Sequence, residues 1–369
     1  MKAKIIVVGA GIAGLCLAWS LTRRGHRVEV FDQGPIPNPL SSSWDEHRIT
    51  CHNYRALDGY ARLMPAAFDA YDALFRDLGA RRYLPTGIIF VRRQEDDWYE
   101  IEAQKLEALG VPHRRLSDTE IEDRLPMLQL RGVREIVEFG GAGMLFADQI
   151  LSDLAAWLTR SGAVLHPRSR VDAVDPDLGQ VIVGGGVHAA DLVIVAAGAW
   201  AAAIAPQLAS AVRPARQTML FLDPPADLRA AWSQAPMLVW DGGAHPGYAL
   251  PPRGGARLKI GGHHFGGYGD PDDDRTATPE ELAPVEAVAA DAFVDFRRYR
   301  FIEAKANYIT AAAEERFLVH PFGRAGWIVS ACSGHGFKLA PLIADGVAGA
   351  IAGERDAAGV PAWAAGREV

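Results

Sequence analysis

A glycine-rich turn lies directly after the first apolar segment of the chain. Residues 5–8 form a continuous apolar run, as expected for a central strand of a parallel sheet that is covered on both faces. Residues 9–14 read GAGIAG, a helical pattern follows over residues 15–24, and residues 28–31 form a second strand pattern. Strand, turn, helix and strand therefore fit one βαβ unit, which predicts a nucleotide-binding α/β fold.

Each glycine of this turn has a physical role in holding a pyrophosphate. Gly9 permits the tight turn, Gly11 lets the backbone approach a phosphate, and Gly14 lets the helix pack closely on the strand. The helix N-terminus adds free N–H groups and a partial positive charge. Asp32 ends the second strand, where an acid can bind ribose hydroxyls. This context predicts a Rossmann-type site and disfavours NADP, but it does not separate NAD from FAD.

Length and charge limit the classes of protein. The 369 residues are enough for two domains, and the net charge of −7 argues against a nucleic-acid or anionic-membrane partner. The cysteines Cys16, Cys51 and Cys332 are scattered and show no CxxC spacing, which disfavours a disulfide framework or a zinc site. No apolar run is long enough to span a bilayer. We therefore expect a soluble cytoplasmic protein, either a monomer or a small homo-oligomer.

Patterns typical of the nucleotide domain recur along the chain. Residues 191–196 read as a second buried parallel strand, and residues 326–331 read as a third that precedes a helix over about 339–352. The stretches between them are richer in strand and aromatic patterns. We predict an α/β fold in which a discontinuous cofactor-binding domain is interleaved with a substrate domain on a mixed or antiparallel sheet. The cofactor-binding domain covers residues 1–82, 143–212 and 312–369, and the substrate domain covers residues 83–142 and 213–311.

Several shorter elements follow from local patterns. Helices are predicted over residues 55–78, 98–109 and 149–160, strands over 86–93 and 170–174, and a hairpin turn at 184–186. Capping boxes are predicted at Ser117–Glu120 and Thr278–Glu281. The aspartates of residues 270–274 resemble a calcium loop, but Arg275 occupies the position that such a loop needs for glycine. We therefore predict no metal site.

Further segments resemble, in order, those of the D-amino-acid oxidase-like flavoproteins, and most closely the branch of monomeric sarcosine oxidase and N-methyl-tryptophan oxidase. These segments are SSWDEHRI at 42–49, DLVIVAAGAW at 191–200, GYALP at 247–251, LKIGGH at 258–263 and SGHGFK at 333–338. The resemblance covers nearly the full length and selects FAD over NAD.

The resemblance implies a set of FAD contacts. They are Gly9, Ala10, Gly11, Ile12, Ala13, Gly14, Asp32, Gln33, Ser42, Ser43, Arg48, Ile49, Val171, Ala197, Gly198, Trp200, Gly334, His335, Gly336, Phe337 and Lys338. Related enzymes tether the flavin through a cysteine in a CxYT-like segment, whereas the matching residues 306–310 here read ANYIT. We therefore predict that FAD is held non-covalently.

The resemblance also implies a reaction. A secondary amine or (N-methyl) amino acid gives up a hydride, or its equivalent, to the flavin, and the resulting imine hydrolyses. O2 then reoxidises the flavin and yields hydrogen peroxide. The expected partners are therefore a small-molecule amine or amino-acid substrate and O2.

Two lysines are the charges expected at the flavin. Lys338, with the N-terminus of the final helix, stabilises the anionic reduced flavin and by resemblance meets a substrate carboxylate; the alternative is a solvated lysine. Lys259 is expected over the flavin face, where a cation favours electron transfer to oxygen by stabilising superoxide. Its alternative is surface exposure, because strand alternation points it away from the side of Leu258 and Ile260.

Three further residues complete the catalytic set. His263 either positions substrate and accepts a proton, or is a structural histidine. Tyr248 is expected to line the substrate cavity. Arg48 pairs with the flavin or the substrate, or, as we favour, has a structural pairing role.

The segment after Arg48 departs from the family pattern. A second arginine that clamps the substrate carboxylate is expected, but Cys51 stands there, and a thiol cannot make that bidentate contact. The substrate therefore lacks a carboxylate, carries it elsewhere, or uses Arg48, His52 or Lys338 alone. Trp44 replaces the histidine of enzymes with small substrates, which favours a bulkier or aromatic substrate.

Two rival functions stay open. One is an amine dehydrogenase on the same fold with a non-oxygen acceptor, which retention of Lys259 argues against. The other is a redox-silent flavoprotein or a partner-binding subunit.

Overall fold

The computed structural model describes residues 2–54, 57–263, 266–312 and 314–367. Its strands are β1 Lys4–Val8, β2 Arg27–Phe31, β3 Arg48–Thr50, β4 Tyr83–Pro85, β5 Ile88–Arg92, β6 His113–Arg115, β7 Glu135–Phe139, β8 Gly143–Leu145, β9 Val164–His166, β10 Ala173–Asp175, β11 Gln180–Val183, β12 Gly186–Ala189, β13 Leu192–Val195, β14 Val212–Asp223, β15 Met237–Asp241, β16 Gly247–Leu250, β17 Leu258–Gly262, β18 Gly267–Tyr268, β19 Arg300–Ala312, β20 Leu318–Pro321 and β21 Gly326–Ser330. Its α-helices are α1 Ile12–Arg23, α2 Asp58–Leu78, α3 Trp98–Glu107, α4 Asp118–Arg124, α5 Ala147–Arg160, α6 Ala201–Ile204, α7 Arg229–Gln234, α8 Pro279–Ala292, α9 Gly336–Ala352 and α10 Val360–Ala364.

A six-stranded sheet carries the N-terminal motif. Its order is β20-β21-β13-β1-β2-β9, and all neighbours are parallel except β20 and β21. The strand β1 is central, and its residues 5–7 are fully buried because apolar side chains are covered on both faces. The buried strands predicted near the N-terminus, in the middle and near the C-terminus are thus confirmed as neighbours in one sheet.

The second large sheet has nine strands. Its order is β18-β14-β17-β16-β15-β5-β7-β6, and β19 also pairs with β14. Only β5 and β15 are parallel among its described pairs, so the sheet is mixed. This confirms the predicted fold class. The strands of this sheet come from residues 88–139 and 212–312; the division into two domains stays a prediction.

Most of the locally predicted elements are confirmed. The hairpin turns at Gly184 and Gly185, which both have positive φ, and both capping boxes are present. The prediction that a strand starts at Arg170 is wrong, because β10 begins at Ala173. The residues before it bond to the loop after β2 instead, with Arg168 N–H donating to Gly34 O and Ser169 N–H to Asp32 O. The predicted helix start at Arg55 lies outside the described residues.

Among the described residues, no helix is long and apolar enough to cross a membrane.

Candidate active site

A cavity of about 860 Å³ connects the two large sheets. The turn after β1 and the end of β2 line it on one side, and β16 and β17 line it on the other. A volume of this order is typical of sites that enclose a large ligand. The cavity can therefore place a nucleotide against the first sheet and its reactive group against the second.

The glycines of the turn leave space and surface for a phosphate. Gly9 has φ +104°, and a Cβ there would lie 2.5 Å from Ala196 O. A Cβ at Gly14 would lie 1.8 Å from Gly9 O, so only glycine lets α1 pack on this turn. Gly11 caps α1 without a side-chain hydrogen bond of its own, and the N-terminal residues of α1 line the cavity, where an anion can bind. These features fit the pyrophosphate of a dinucleotide.

Asp32 is fixed at the edge of the same cavity. Its carboxylate accepts hydrogen bonds of 2.8 Å from Ala10 N–H, Gly34 N–H and Asn38 Nδ2. Burial raises the pKa of Asp32, and the three hydrogen bonds oppose that rise. The side chain is thereby oriented as an acceptor toward the cavity, as a ribose contact requires.

Arg48 is paired within its own segment. Its guanidinium donates to Asp45 Oδ2 and to Ser42 O, both at 2.5 Å, while the residue still lines the cavity. Ser43 Oγ accepts from Ile12 N–H at 3.0 Å, which ties the same segment to the phosphate turn. This geometry favours the structural pairing role expected for Arg48.

Lys259 is buried, with 1% of the side chain exposed. Its Nζ donates to Asp45 Oδ2 at 2.7 Å and to His47 O at 2.6 Å. Burial lowers the pKa of Lys259 to about 8, and Asp45 opposes that change. The surface-exposed alternative is therefore wrong: strand alternation places Leu258 and Ile260 in a hydrophobic core and turns the lysine to the cavity.

Lys338 enters the cavity from the first turn of α9. Its Nζ lies 3.6 Å from Cys51 Sγ and 4.8 Å from the ring centroid of Tyr54. The residue is half-buried, and its ammonium packs on a thiol and an aromatic face. No carboxylate pairs with Lys338 among the described residues.

Two aromatic groups of the set are held neutral. His335 Nε2 lies 2.7 Å from Glu315 O, and the ring stacks on Phe317. Burial lowers the pKa of His335 to about 4, so it is uncharged near neutral pH. Burial raises the pKa of Tyr248 to about 12, and its ring stacks with that of His263 at 6.1 Å.

The cavity brings together nearly all predicted site residues. Every predicted cofactor contact and catalytic residue lines it except Ala10 and Gly14. Ala10 instead donates its N–H to Asp32, and Gly14 packs on the turn. Trp44 and His52 are not among the lining residues; His52 Nδ1 lies 2.9 Å from Gly141 O. Neither Trp44 nor His52 therefore contributes to the wall of the cavity.

The sequence reasoning missed two residues. Asn307 lines the cavity and is 2% exposed, and neither of its amide atoms has a partner in the described part of the chain. An unpaired buried amide is costly, so a bound ligand is expected to satisfy it. The sequence did offer a signal for Asn307, because residues 306–310 match the segment through which related enzymes tether the flavin. Asp45, the partner of Lys259, was overlooked although it lies three residues before Arg48.

These features define a dinucleotide-binding site with buried cations beside it, and comparison with known proteins gives the class of enzyme. The sequence matches the DAO family of FAD dependent oxidoreductases over residues 4–350, and the chain belongs to this family. FAD is thus its cofactor, and the residues of the phosphate turn fit it.

Relatives with the names of the predicted branch are similar to the chain over nearly its full length. The chain is 25% identical to human peroxisomal sarcosine oxidase, over 92% of this chain and 89% of the relative. It is 23% identical to N-methyl-L-tryptophan oxidase of Salmonella dublin, over 94% and 93%. Among solved structures, L-proline dehydrogenase from P. horikoshii matches with a TM-score of 0.84 at 19% identity, over 99% of this chain and 97% of that chain.

Proposed function

We propose that this protein is an amine oxidase that oxidises the C–N bond of a secondary amine or N-methyl amino acid to an imine and passes the electrons to O2. Bound FAD supplies the two-electron redox chemistry. The sequence similarity to sarcosine oxidase and N-methyl-L-tryptophan oxidase supports the C–N bond as the target. Absence of cysteine from residues 306–310 supports non-covalent retention of FAD.

The buried Lys259 is the observation that carries the choice of acceptor. An ammonium in a site from which water is excluded stabilises negative charge far more than it would in water. Electron transfer to O2 creates such a charge, and Lys259 lies in the wall of the cofactor cavity. This supports O2 as acceptor over a dehydrogenase with another acceptor.

The substrate end of the cavity is mainly apolar. Its lining includes Ile88, Phe90, Val239 and Leu250, with the single ammonium of Lys338 beside Cys51. We infer a substrate with an apolar body, whose anionic group, where it has one, is held by Lys338 alone. Tyr248 and His263 border the same space and orient the amine.

The acceptor is tested by separating the two half-reactions in a stopped-flow instrument. In Lys259→Met, reoxidation by O2 is expected to slow about a hundredfold or more, whereas anaerobic reduction by substrate changes little, because the charge acts on the oxygen step. Lys305→Met is the matched control: Lys305 donates to Trp44 O at 2.9 Å and is not among the cavity-lining residues.

Equal slowing of both half-reactions in Lys259→Met would contradict the oxygen-site assignment. Sluggish reoxidation of the wild type itself would favour the dehydrogenase.

A further inference from the structure

Asp45 lies at the centre of a buried ionic cluster formed with Arg48 and Lys259. One oxygen, Oδ2, is 2.7 Å from Lys259 Nζ and 2.5 Å from Arg48 Nη1. Asp45 and Lys259 are each 1% exposed at the side chain, whereas Arg48 is 20% exposed. Burial would raise the pKa of Asp45, but the two cations hold it well below its usual range. The carboxylate is therefore ionised and balances one of two positive charges.

The hydrogen bonds of Lys259 fix the direction of its ammonium. Two of its three N–H groups are used, by Asp45 Oδ2 and by His47 O. In the described part of the chain no acceptor is present for the third, and the residue lines the cavity. The two acceptors thus anchor Nζ and leave one donor for a ligand.

No other carboxylate takes the place of Asp45 among the described residues. Glu46 is bound to Arg257 at 2.5 Å and does not contact Lys259. The pKa of the His47 imidazole is held well below its usual value by burial and by Lys259, so it is neutral. Other titratable groups around the cluster are Glu303, which pairs with Arg257, Lys305, which donates to Trp44 O, and the protonated phenol of Tyr248. Asp148 also lies nearby: its backbone N–H donates to Asp45 O at 2.9 Å, and burial raises the pKa of its carboxyl group.

We propose that Asp45 is a positioning residue that keeps Lys259 oriented and positively charged for the reaction with oxygen. This inference rests on the proposed oxidase function. Without Asp45, two cations would share a buried site, and the guanidinium of Arg48 cannot release a proton. Lys259 would then become the group that loses its charge.

The first test measures the charge of Lys259 directly, in resting FAD-loaded protein without turnover. The side chain is followed by NMR of isotope-labelled lysine and assigned by loss of the signal in Lys259→Met. The wild-type midpoint is expected near pH 8. In Asp45→Asn it is expected to fall by about one pH unit or more, since a neighbouring opposite charge is lost. Glu46→Gln is the matched control, with little change expected.

The second test measures the pH profile of reoxidation by O2. In the wild type the rate constant is expected to fall as pH rises through about 8, where Lys259 loses its proton. In Asp45→Asn the fall moves to lower pH, so that reoxidation at pH 8 is about fivefold slower or more, the loss of protonated lysine that a one-unit shift produces there. The double variant Asp45→Asn/Lys259→Met should reoxidise no more slowly than Lys259→Met, because Asp45 acts through the lysine.

The outcomes separate this inference from the proposed function. If Lys259→Met reoxidises at the wild-type rate, the oxidase assignment of the lysine fails. If Lys259→Met is slow but the midpoint of Asp45→Asn equals that of the wild type, the role of Asp45 alone is overturned. Should Asp45→Asn not retain FAD, Asp45→Glu is tested instead, because it keeps a carboxylate at this position. The titration midpoint of Lys259 in Asp45→Glu is expected to stay close to the wild-type midpoint. A fall of about one pH unit in this variant would contradict the inference.

Discussion

At the residue scale, Arg48, Lys259 and Lys338 bring more positive charge to their part of the cavity than the nearby carboxylate of Asp45 balances. Arg48 and Lys259 share the one carboxylate of Asp45, and Lys338 has a thiol and a ring as neighbours. The sequence predicted these cations from their segments, but it did not predict their partners. Lys259 and Asp45 are far apart in the chain, so their pairing depends on how β17 packs against the segment before β3.

Cys51 is the residue at which substrate choice is most readily tested. Cys51→Arg places a second cation beside Lys338, and two cations bind a carboxylate more tightly than one. The KM for a small N-methyl amino acid such as sarcosine is expected to fall about tenfold, equivalent to about 1.4 kcal/mol. The measurement is the KM for sarcosine in steady-state oxidation, compared with the KM for a secondary amine that lacks a carboxylate.

Cys51→Met controls for the added bulk at this buried position, which is 3% exposed. If the arginine and methionine variants have the same KM for sarcosine, the carboxylate is not bound at this corner and the account of Cys51 is wrong.

At the element scale, periodicity predicted most helices and strands because their apolar faces are buried in the expected way. The buried runs β1, β13 and β21 are confirmed as parallel neighbours. The failure at residues 170–172 has a local cause: the preceding backbone bonds to the loop after β2, which no periodicity reveals. The position of Asn307 in the cavity wall was not predicted either, because the alternation of side chains along β19 does not show which face of the strand lines the cavity.

The packing of α1 on the phosphate turn gives an element-scale prediction. In Gly14→Ala the new Cβ would lie 1.8 Å from Gly9 O, so the helix must move. A loss of about 1–3 kcal/mol in the free energy of unfolding is expected, together with weaker FAD retention. Both are measured by denaturant unfolding and by FAD fluorescence on titration.

Gly349→Ala is the matched control, because Gly349 lies in α9 and its nearest contact for a Cβ is an ordinary 3.6 Å. Equal stability of the two variants would contradict the close packing at Gly14.

At the scale of the whole molecule, two sheets assembled from alternating stretches of the chain meet at one cavity. The six-stranded sheet contributes the phosphate turn and Asp32, and the nine-stranded sheet contributes Tyr248 and Lys259. The order of the motifs along the sequence predicted this arrangement. The identity of the substrate was not predictable, because it depends on the shape and charge of the cavity wall around Lys338 rather than on any motif.

The central claim is that an amine reduces the bound FAD and that O2 reoxidises it. The most direct measurement mixes the FAD-loaded wild-type protein anaerobically with secondary amines and N-methyl amino acids, follows the flavin absorption band, and then admits air. The account predicts bleaching by an apolar secondary amine or its N-methyl amino-acid counterpart, followed by rapid recovery of the band with formation of hydrogen peroxide. Bleaching by none of these compounds, or bleaching without recovery in air, would contradict it.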